Sequence, residues 1–451
     1  MAVNGITEGV IWKQILKFFF PILFGTLFQQ LYNTADAVIV GNFLGKEALA
    51  AVGGGTATIT NLLIGFFIGL STGATVIISQ YYGAKNEDKV SAAVHNAAAL
   101  AIVSGIIVTV AGYFSSEWML RAIKTPEDIF PYALQYMHIY FLGASLNVIF
   151  NIGSGIFRAF GDSRRPLYFL IVSCLVNIVL DLVFVGLFRW GIKGAAYATV
   201  LSQFVASAMV VLFLAKRDDC CKLCLSKIRF NSFMLKKTLY IGFPGGIQSI
   251  MFSLSNLLLQ SSINYFGTDT AAAWAAYGRL DSIYWLIINA MGVSVTTFVG
   301  QNYGAGYMDR ARKGVRTSIL ISMAGTLVME ALFLLFGRQL FLLFTSDEKV
   351  IEIGLEMLNT IAPFFFTFIG VEILSAATRG AGKAIIPTLI SIFGICILRI
   401  IWIETVSDYF GTLRSVIAVY PFSWIVTSIL FIAYYLLGNI FPKETKNPVQ
   451  E

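Results

Sequence analysis

Hydrophobic residues run through this chain in long blocks, and polar residues gather between the blocks. The stretch from Phe18 to Gly45, FFFPILFGTLFQQLYNTADAVIVGNFLG, carries no charge except Asp36. Uncharged runs also extend from Ala48 to Ala84 and from Thr238 to Thr268. A helix needs about 20 apolar residues to cross a hydrocarbon core of about 30 Å, whereas a barrel strand needs about ten. The pattern therefore predicts an all-α polytopic membrane protein with twelve transmembrane helices. They fall at about 14–42, 49–80, 90–116, 131–157, 166–188 and 194–215, then 238–266, 276–303, 314–337, 352–378, 386–405 and 416–440. Pro21 should bend the first, because proline removes a backbone donor and clashes one turn back.

The two sets of six repeat. SQYYGAKNEDK near Gln80 returns as GQNYGAGYMDR near Gln301, and SGIFRAFGDSRRP from Ser154 returns as SAATRGAGKAIIP from Ser375, both shifted by 221 residues. Pro21 and Pro244 are 223 apart. Six is even, so both halves enter from the same side, which makes a parallel repeat about an axis along the membrane normal. The expected organisation is an N-terminal six-helix lobe (1–215), a cytoplasmic basic linker (216–237) and a C-terminal six-helix lobe (238–451) ending in the short tail KETKNPVQE. Transporters with this plan hold substrate between the halves and rock one against the other.

Composition agrees with a membrane protein. Of 451 residues, 57% are hydrophobic and 13% charged, against about 25% charged in soluble domains. The net charge of +7 reports topology rather than nucleic acid: loops on the side of the termini carry 22 Lys and Arg, the opposite loops 8. Both termini are therefore expected in the cytoplasm. The opening MAVNGITEGVIWK is polar, short and leads straight into the first span, so no signal peptide is expected. The five cysteines form no disulfide framework. The CCKLC cluster (Cys220, Cys221, Cys224) is a weak zinc signal without a second pair or a nearby His, and palmitoylation there has no further support.

No P-loop, HExxH or nucleophile elbow is present, so the chain is not expected to be an enzyme or to hold a cofactor. Without a nucleotide site, an ion gradient is the expected energy source, at about 2.3 kcal/mol per charge per 100 mV. Coupling to it needs a titratable or cation-binding group inside the membrane. A carboxylate there costs about 2.5–3.5 kcal/mol on insertion scales, which marks Asp36 and Asp181. Asp36 lies fifteen residues past Pro21 and Asp181 fifteen past Pro166, on helices that both run outward, which gives them similar depth. Asn177 is one turn before Asp181, and Thr199 enters from the outside to the same depth. Asp36, Asn177, Asp181 and Thr199 could surround one Na+ with oxygen ligands, or the two carboxylates could hold a proton. The plainer alternative is a buried polar network that only fixes helix packing.

The second half differs. Leu398 and Trp402 stand where the repeat would place Asn177 and Asp181, with Arg399 beside them, and Glu372 matches Asn151. The ion site is therefore expected in the first half only. Glu372 and Arg399 either pair, the simpler reading, or touch substrate. Arg279 and Asp281 read as an interfacial pair. Gly65, Gly69 and Gly73, four apart, should let another helix approach closely.

Together these residues resemble the multidrug and toxic compound extrusion (MATE) family. The pieces are Pro21 followed by Gln30, Tyr32, Asn33, Asp36 and GNFLG, then SQYYGA, RAFGD, Asn177-x-x-x-Asp181 and YPFSW. The acid in the first span is similar to the DinF-like branch, whose members use an N-terminal-lobe cavity. The resemblance implies that Asp36 is the proton-responsive residue beside a bent span, with Asn177, Asp181 and Thr199 completing a cation site. Gln30, Asn33, Asn151, Glu372 and Arg399 are the candidates for lining the cavity or contacting substrate. It also implies efflux of cationic amphipathic compounds from the cytoplasm across the plasma membrane, in exchange for H+ or Na+, by a monomer whose other surroundings are lipid. The main rival is a lipid-linked oligosaccharide flippase of the same broader superfamily, toward which Arg399 leans. A membrane receptor or scaffold would need neither the intramembrane carboxylates nor the duplication.

Overall fold

The computed structural model describes residues 6–442, so the tail from Lys443 onward lies outside the described residues. Those residues form helices and turns with no strand among them. The first half comprises α1 (Ile11–Leu44), α2 (Lys46–Gly53), α3 (Gly55–Gly83), α4 (Glu87–Ala122), α5 (Phe130–Leu142), α6 (Ala144–Ala159), α7 (Arg164–Asp181) and α8 (Ile192–Ala215). The second comprises α9 (Ser232–Asn264), α10 (Thr268–Gly304), α11 (Met308–Leu342), α12 (Glu348–Ile361), α13 (Phe365–Gly380), α14 (Ile385–Ser391), α15 (Leu398–Trp402), α16 (Asp408–Phe410), α17 (Leu413–Ile417) and α18 (Val419–Leu437).

The 221-residue register holds at the ends of helices. α3 and α10 end at Gly83 and Gly304, α6 and α13 at Ala159 and Gly380, and α1 and α9 begin at Ile11 and Ser232. The turns after α6 and α13 both use a glycine in the left-handed region, Gly161 and Gly382, each at φ +85°, where a side chain would be strained. A π-helical turn follows Asp181 at Leu182–Leu187, and another follows Trp402 at Ile403–Ser407, again 221 residues on. Packing repeats as well: α3, α4 and α6 pack mutually, as do α10, α11 and α13, and α6 meets α8 as α13 meets α18.

Local chemistry sets several helix starts. Asn86 accepts a hydrogen bond from the Lys89 amide at 3.1 Å ahead of α4, with Glu87 and Asp88 complementing the helix N-terminus. Asp347 caps α12 through the amides of Lys349 and Val350. Several expected spans are interrupted, three of them outside any π-helical turn and well inside the span. The second breaks at Gly54, the fourth bends by 49° at Gly143, and the tenth passes through a 3-10 turn at Ala362–Phe364 that contains Pro363. Among the described residues, ten helices are long and apolar enough to cross a membrane, or eleven with the bent pair taken as one span. The remaining one of the twelve is α9, which is 33 residues long but carries Gln248, Asn256, Gln260 and several serines. Large apolar side chains such as Phe114, Leu335 and Leu436 are exposed on the outer faces, as lipid-facing positions require.

By contacts the chain divides into two compact units. One holds Phe20–Ser249, and the other holds Ile6–Phe19 and the described chain from Ile250 onward. The boundaries fall inside α1, just before Pro21, and inside α9, just after Pro244. Packing therefore divides the chain within two proline-containing helices, whereas the repeat divides it at the 216–237 segment. That segment is tied to α4, where the amide of Cys224 donates to His95 Nε2 at 3.0 Å and that of Asn231 to Asn96 Oδ1 at 3.2 Å. A histidine thus reaches the CxxC segment, through its backbone.

Candidate ion-coupling site

Asp36 lies eight residues before the end of α1, Asn177 and Asp181 occupy the last turn and a half of α7, and Thr199 is seven residues into α8. Asp36 is 6% exposed, Thr199 2%, and Asn177 and Asp181 are fully buried. The Asp36 and Asp181 carboxyl groups are direct neighbours, within reach of sharing a proton. Asp181 is also the last residue before a π-helical turn, and such turns add a residue to the helix and re-aim the side chains beside it.

The chemistry of the cluster lies in what its atoms lack. Among the described residues, Asp36 Oδ1, both Asp181 oxygens, and both Oδ1 and Nδ2 of Asn177 have no hydrogen-bond partner. Buried polar atoms are ordinarily paired, and leaving one unpaired costs about 1–3 kcal/mol. The four oxygens among them fit a bound proton, cation or water, and the Asn177 amide nitrogen is a donor left for a water or a carboxylate oxygen. The donor set is two carboxylates, an amide oxygen and a hydroxyl, all hard oxygen ligands suited to an alkali cation. Thr199 Oγ1 already donates to Ala195 O at 3.0 Å, so its lone pairs are what it can offer an ion.

Tyrosines surround the acids. Tyr32 is one turn before Asp36 on α1, and its phenol and that of Tyr136 lie beside Thr199. Tyr136 and Tyr140 stack at 6.0 Å, and Tyr140 lies beside Gln203, one turn beyond Thr199. Sequence reading passed over Tyr136, Tyr140 and Gln203. The signal available was their spacing of one turn from each other or from Thr199. A small cavity of about 50 Å³ is lined by Gln29, Tyr32, Asn147, Ser173, Ser202 and Gln203, among others. Tyr32 and Cys174 precede Asp36 and Asn177, and Gln203 follows Thr199 on the oppositely running α8. The cavity therefore lies about one turn from the acids, toward the ends where α1 and α7 begin.

Other candidates fall elsewhere. Gln30 and Asn33 are exposed on α1. Asn151 donates to Asn147 O at 2.9 Å and Oδ1 at 2.7 Å. Glu372 does not pair with Arg399: its ion pair is with Arg379 at 3.9 Å, two turns along the same face of α13. Arg399 is buried, donates to Ser423 Oγ at 3.2 Å and Asn256 Oδ1 at 3.4 Å, and stacks over Tyr420 at 4.3 Å. Arg279 and Asp281 do not pair either. Residues two apart on a helix face different ways, so Arg279 is exposed while Asp281 turns inward. There Asp281 accepts hydrogen bonds from Tyr277 Oη at 3.3 Å and Trp285 Nε1 at 2.7 Å. Pro21 lies inside a continuous α1. Gly69 and Gly73 meet the α9 backbone at Gly242, Gly245 and Gly246, the close approach their spacing predicted.

The MatE family profile matches residues 21–183 and 244–403, one match in each half. The chain is 31% identical to the "Probable multidrug resistance protein YpnP" of Bacillus subtilis (strain 168) over 448 residues, covering 97% of this chain and 98% of that one. It is 29% identical to the "Probable multidrug resistance protein YoeA" of the same organism over 435 residues, covering 94% and 93%. A solved structure described as the outward-facing conformation of a multidrug resistance MATE family transporter of the MOP superfamily superposes with a TM-score of 0.92. It is 25% identical and covers 99% of both chains.

Proposed function

The chain belongs to the MatE family of multi-pass membrane transporters, and from that premise we propose that it exports amphipathic cationic compounds in exchange for protons or sodium ions. The observation that supports ion coupling is the buried Asp36–Asp181 pair with Asn177, whose unpartnered oxygens are matched by a proton or a small cation. Two neighbouring carboxylates resist ionising together, so the cluster takes up a positive charge when one is available. The relatives' multidrug resistance names support a drug-like cargo. The Lys and Arg distribution supports cytoplasmic termini in a plasma-membrane protein, and we expect a monomer.

The proposed cycle has three steps. Substrate enters from the cytoplasm while Asp36 and Asp181 carry net negative charge, and the protein then opens outward. A proton or sodium ion entering at the acids removes that charge, weakens the hold on the cation and releases it. The ion-loaded form returns inward and loses its ion. Efflux of ethidium from proteoliposomes, under a pH gradient and a sodium gradient imposed separately, tests this reading. Efflux driven by one gradient supports antiport and names the ion; efflux indifferent to both contradicts coupling.

A further inference from the structure

The repeat places Leu257 and Trp402 where the first half has Asp36 and Asp181, and beside those positions the second half carries a buried charge of the opposite sign. Positions 221 residues beyond Thr199 and Ser202 are Tyr420 and Ser423, and those beyond Ala35 and Ile178 are Asn256 and Arg399. In the first half, helices α1, α7 and α8 bring two carboxylates together. In the second, α9, α15 and α18 bring Asn256, Arg399, Tyr420 and Ser423 together, around a guanidinium.

Arg399 is 3% exposed, and a buried charge ordinarily has a countercharge in direct contact. This one does not. Among the described residues no carboxylate oxygen lies within 4.0 Å of it, and its partners are a hydroxyl, an amide and a ring face. The nearby opposite charge, Asp281, is held off by its own bonds to Tyr277 and Trp285. Among the same residues Nη2 of Arg399 has no acceptor, which leaves half of the planar fork that binds carboxylate, sulfonate or phosphate bidentately. The Tyr420 ring beneath the guanidinium is itself flanked by aromatic rings, Trp274 at 5.9 Å and Trp424 at 5.5 Å. An apolar cluster of Leu259, Ile263, Val416 and Val419, against which Tyr420 packs, covers the end toward the α9–α10 and α16–α17 turns.

We infer that this cluster is an anion-binding site, taking the carboxylate, sulfonate or phosphate of an aromatic or otherwise apolar molecule, with Arg399 as the anchoring residue. Ser423 and Asn256 orient the guanidinium, Tyr420 supports its face, and Asp281 limits how tightly an anion is held. The protein then recognises amphipathic anions as well as cations, through opposite charges in its two halves.

The test is binding of salicylate, a small fluorescent aromatic carboxylate, to purified full-length protein in neutral detergent, read by energy transfer from tryptophan. Wild type should bind saturably. Arg399→Gln should weaken binding at least tenfold, and Arg399→Lys should recover part of the loss. Asp281→Asn keeps an acceptor for Trp285 and offers its amide N–H to Tyr277 Oη, but removes the competing charge, so it should tighten binding severalfold, a gain that misfolding cannot produce. No saturable binding to wild type, or unchanged affinity in both Arg399→Gln and Asp281→Asn, would overturn the inference. No gradient is applied, so the result stands apart from ion coupling: ethidium export without salicylate binding would keep the coupling reading and remove this one.

Discussion

A buried carboxylate must find a proton, a cation or a donor, and among the described residues three of the four oxygens of Asp36 and Asp181 have no donor. Asp181→Asn should therefore be tolerated by the fold while transport loses its dependence on the driving ion, measured as equal ethidium efflux with and without the gradient. Asn177→Leu removes one neutral oxygen and should shift the half-saturating ion concentration upward without abolishing transport. These positions were legible in the sequence because an intramembrane acid is conspicuous and helix rise alone sets its depth. The partners of Asp281 and Arg399 were not. Arg279 is nearest to Asp281 in sequence but lies on another face, and Asn256 and Ser423 reach Arg399 only once three helices have packed. The 216–237 segment holds cysteines of unequal burial. Cys221 is fully buried and burial pushes its thiol up, so it should react with maleimide far more slowly than the half-buried Cys220. Its neighbour Asp219 bonds the Arg217 guanidinium, which holds the carboxyl below its usual range of about 3.9. A lowered folded value contributes stability above the usual range and loses it as pH falls through the folded one. Protection of Cys221 should thus be steady through mildly acidic pH and fall only in strong acid, whereas Asp219→Ala should expose it at neutral pH.

At the scale of elements, close helix approach depends on glycine. A Cβ at Gly69 would overlap the Gly245–Gly246 backbone, and backbone cannot step aside as a side chain can. Gly69→Leu should cost more than the roughly 1–3 kcal/mol of ordinary overpacking and leave little folded protein by fluorescence-detected gel filtration. A Cβ at Gly278 would meet no atom within 4 Å, so Gly278→Ala should melt as wild type does. The spacing of Gly65, Gly69 and Gly73 announced a close contact but not its partner, since periodicity identifies a face and not what covers it. The breaks at Gly54, Gly143 and Pro363 and the π-helical turn after Asp181 were equally silent in hydropathy. An interrupted apolar run reads the same as a continuous one, and a π turn carries no composition of its own.

At the scale of the whole molecule, the duplication was the most legible feature. The same 221-residue offset found in SQYYGA and GQNYGA recurs in helix ends, left-handed glycines, π turns and the network of packed helices. Hidden from the sequence was the place where packing divides the chain, inside α1 and α9 and beside their prolines. Apolar counting also stops short at α9, because that helix carries polar residues along much of its length. The Lys and Arg distribution predicts that a reporter active only in the cytoplasm will be active when joined within 216–231 and silent when joined within 124–128.

The central claim is that the buried Asp36–Asp181 pair converts an ion gradient into export. The most direct measurement is ethidium efflux from proteoliposomes with wild type beside Asp36→Asn, each checked for folded protein by gel filtration, under a pH gradient and then a sodium gradient. The account predicts that one gradient drives wild-type efflux well above the gradient-free rate, and that folded Asp36→Asn shows no such increase under either. Gradient-driven efflux by the mutant equal to that of wild type would contradict it.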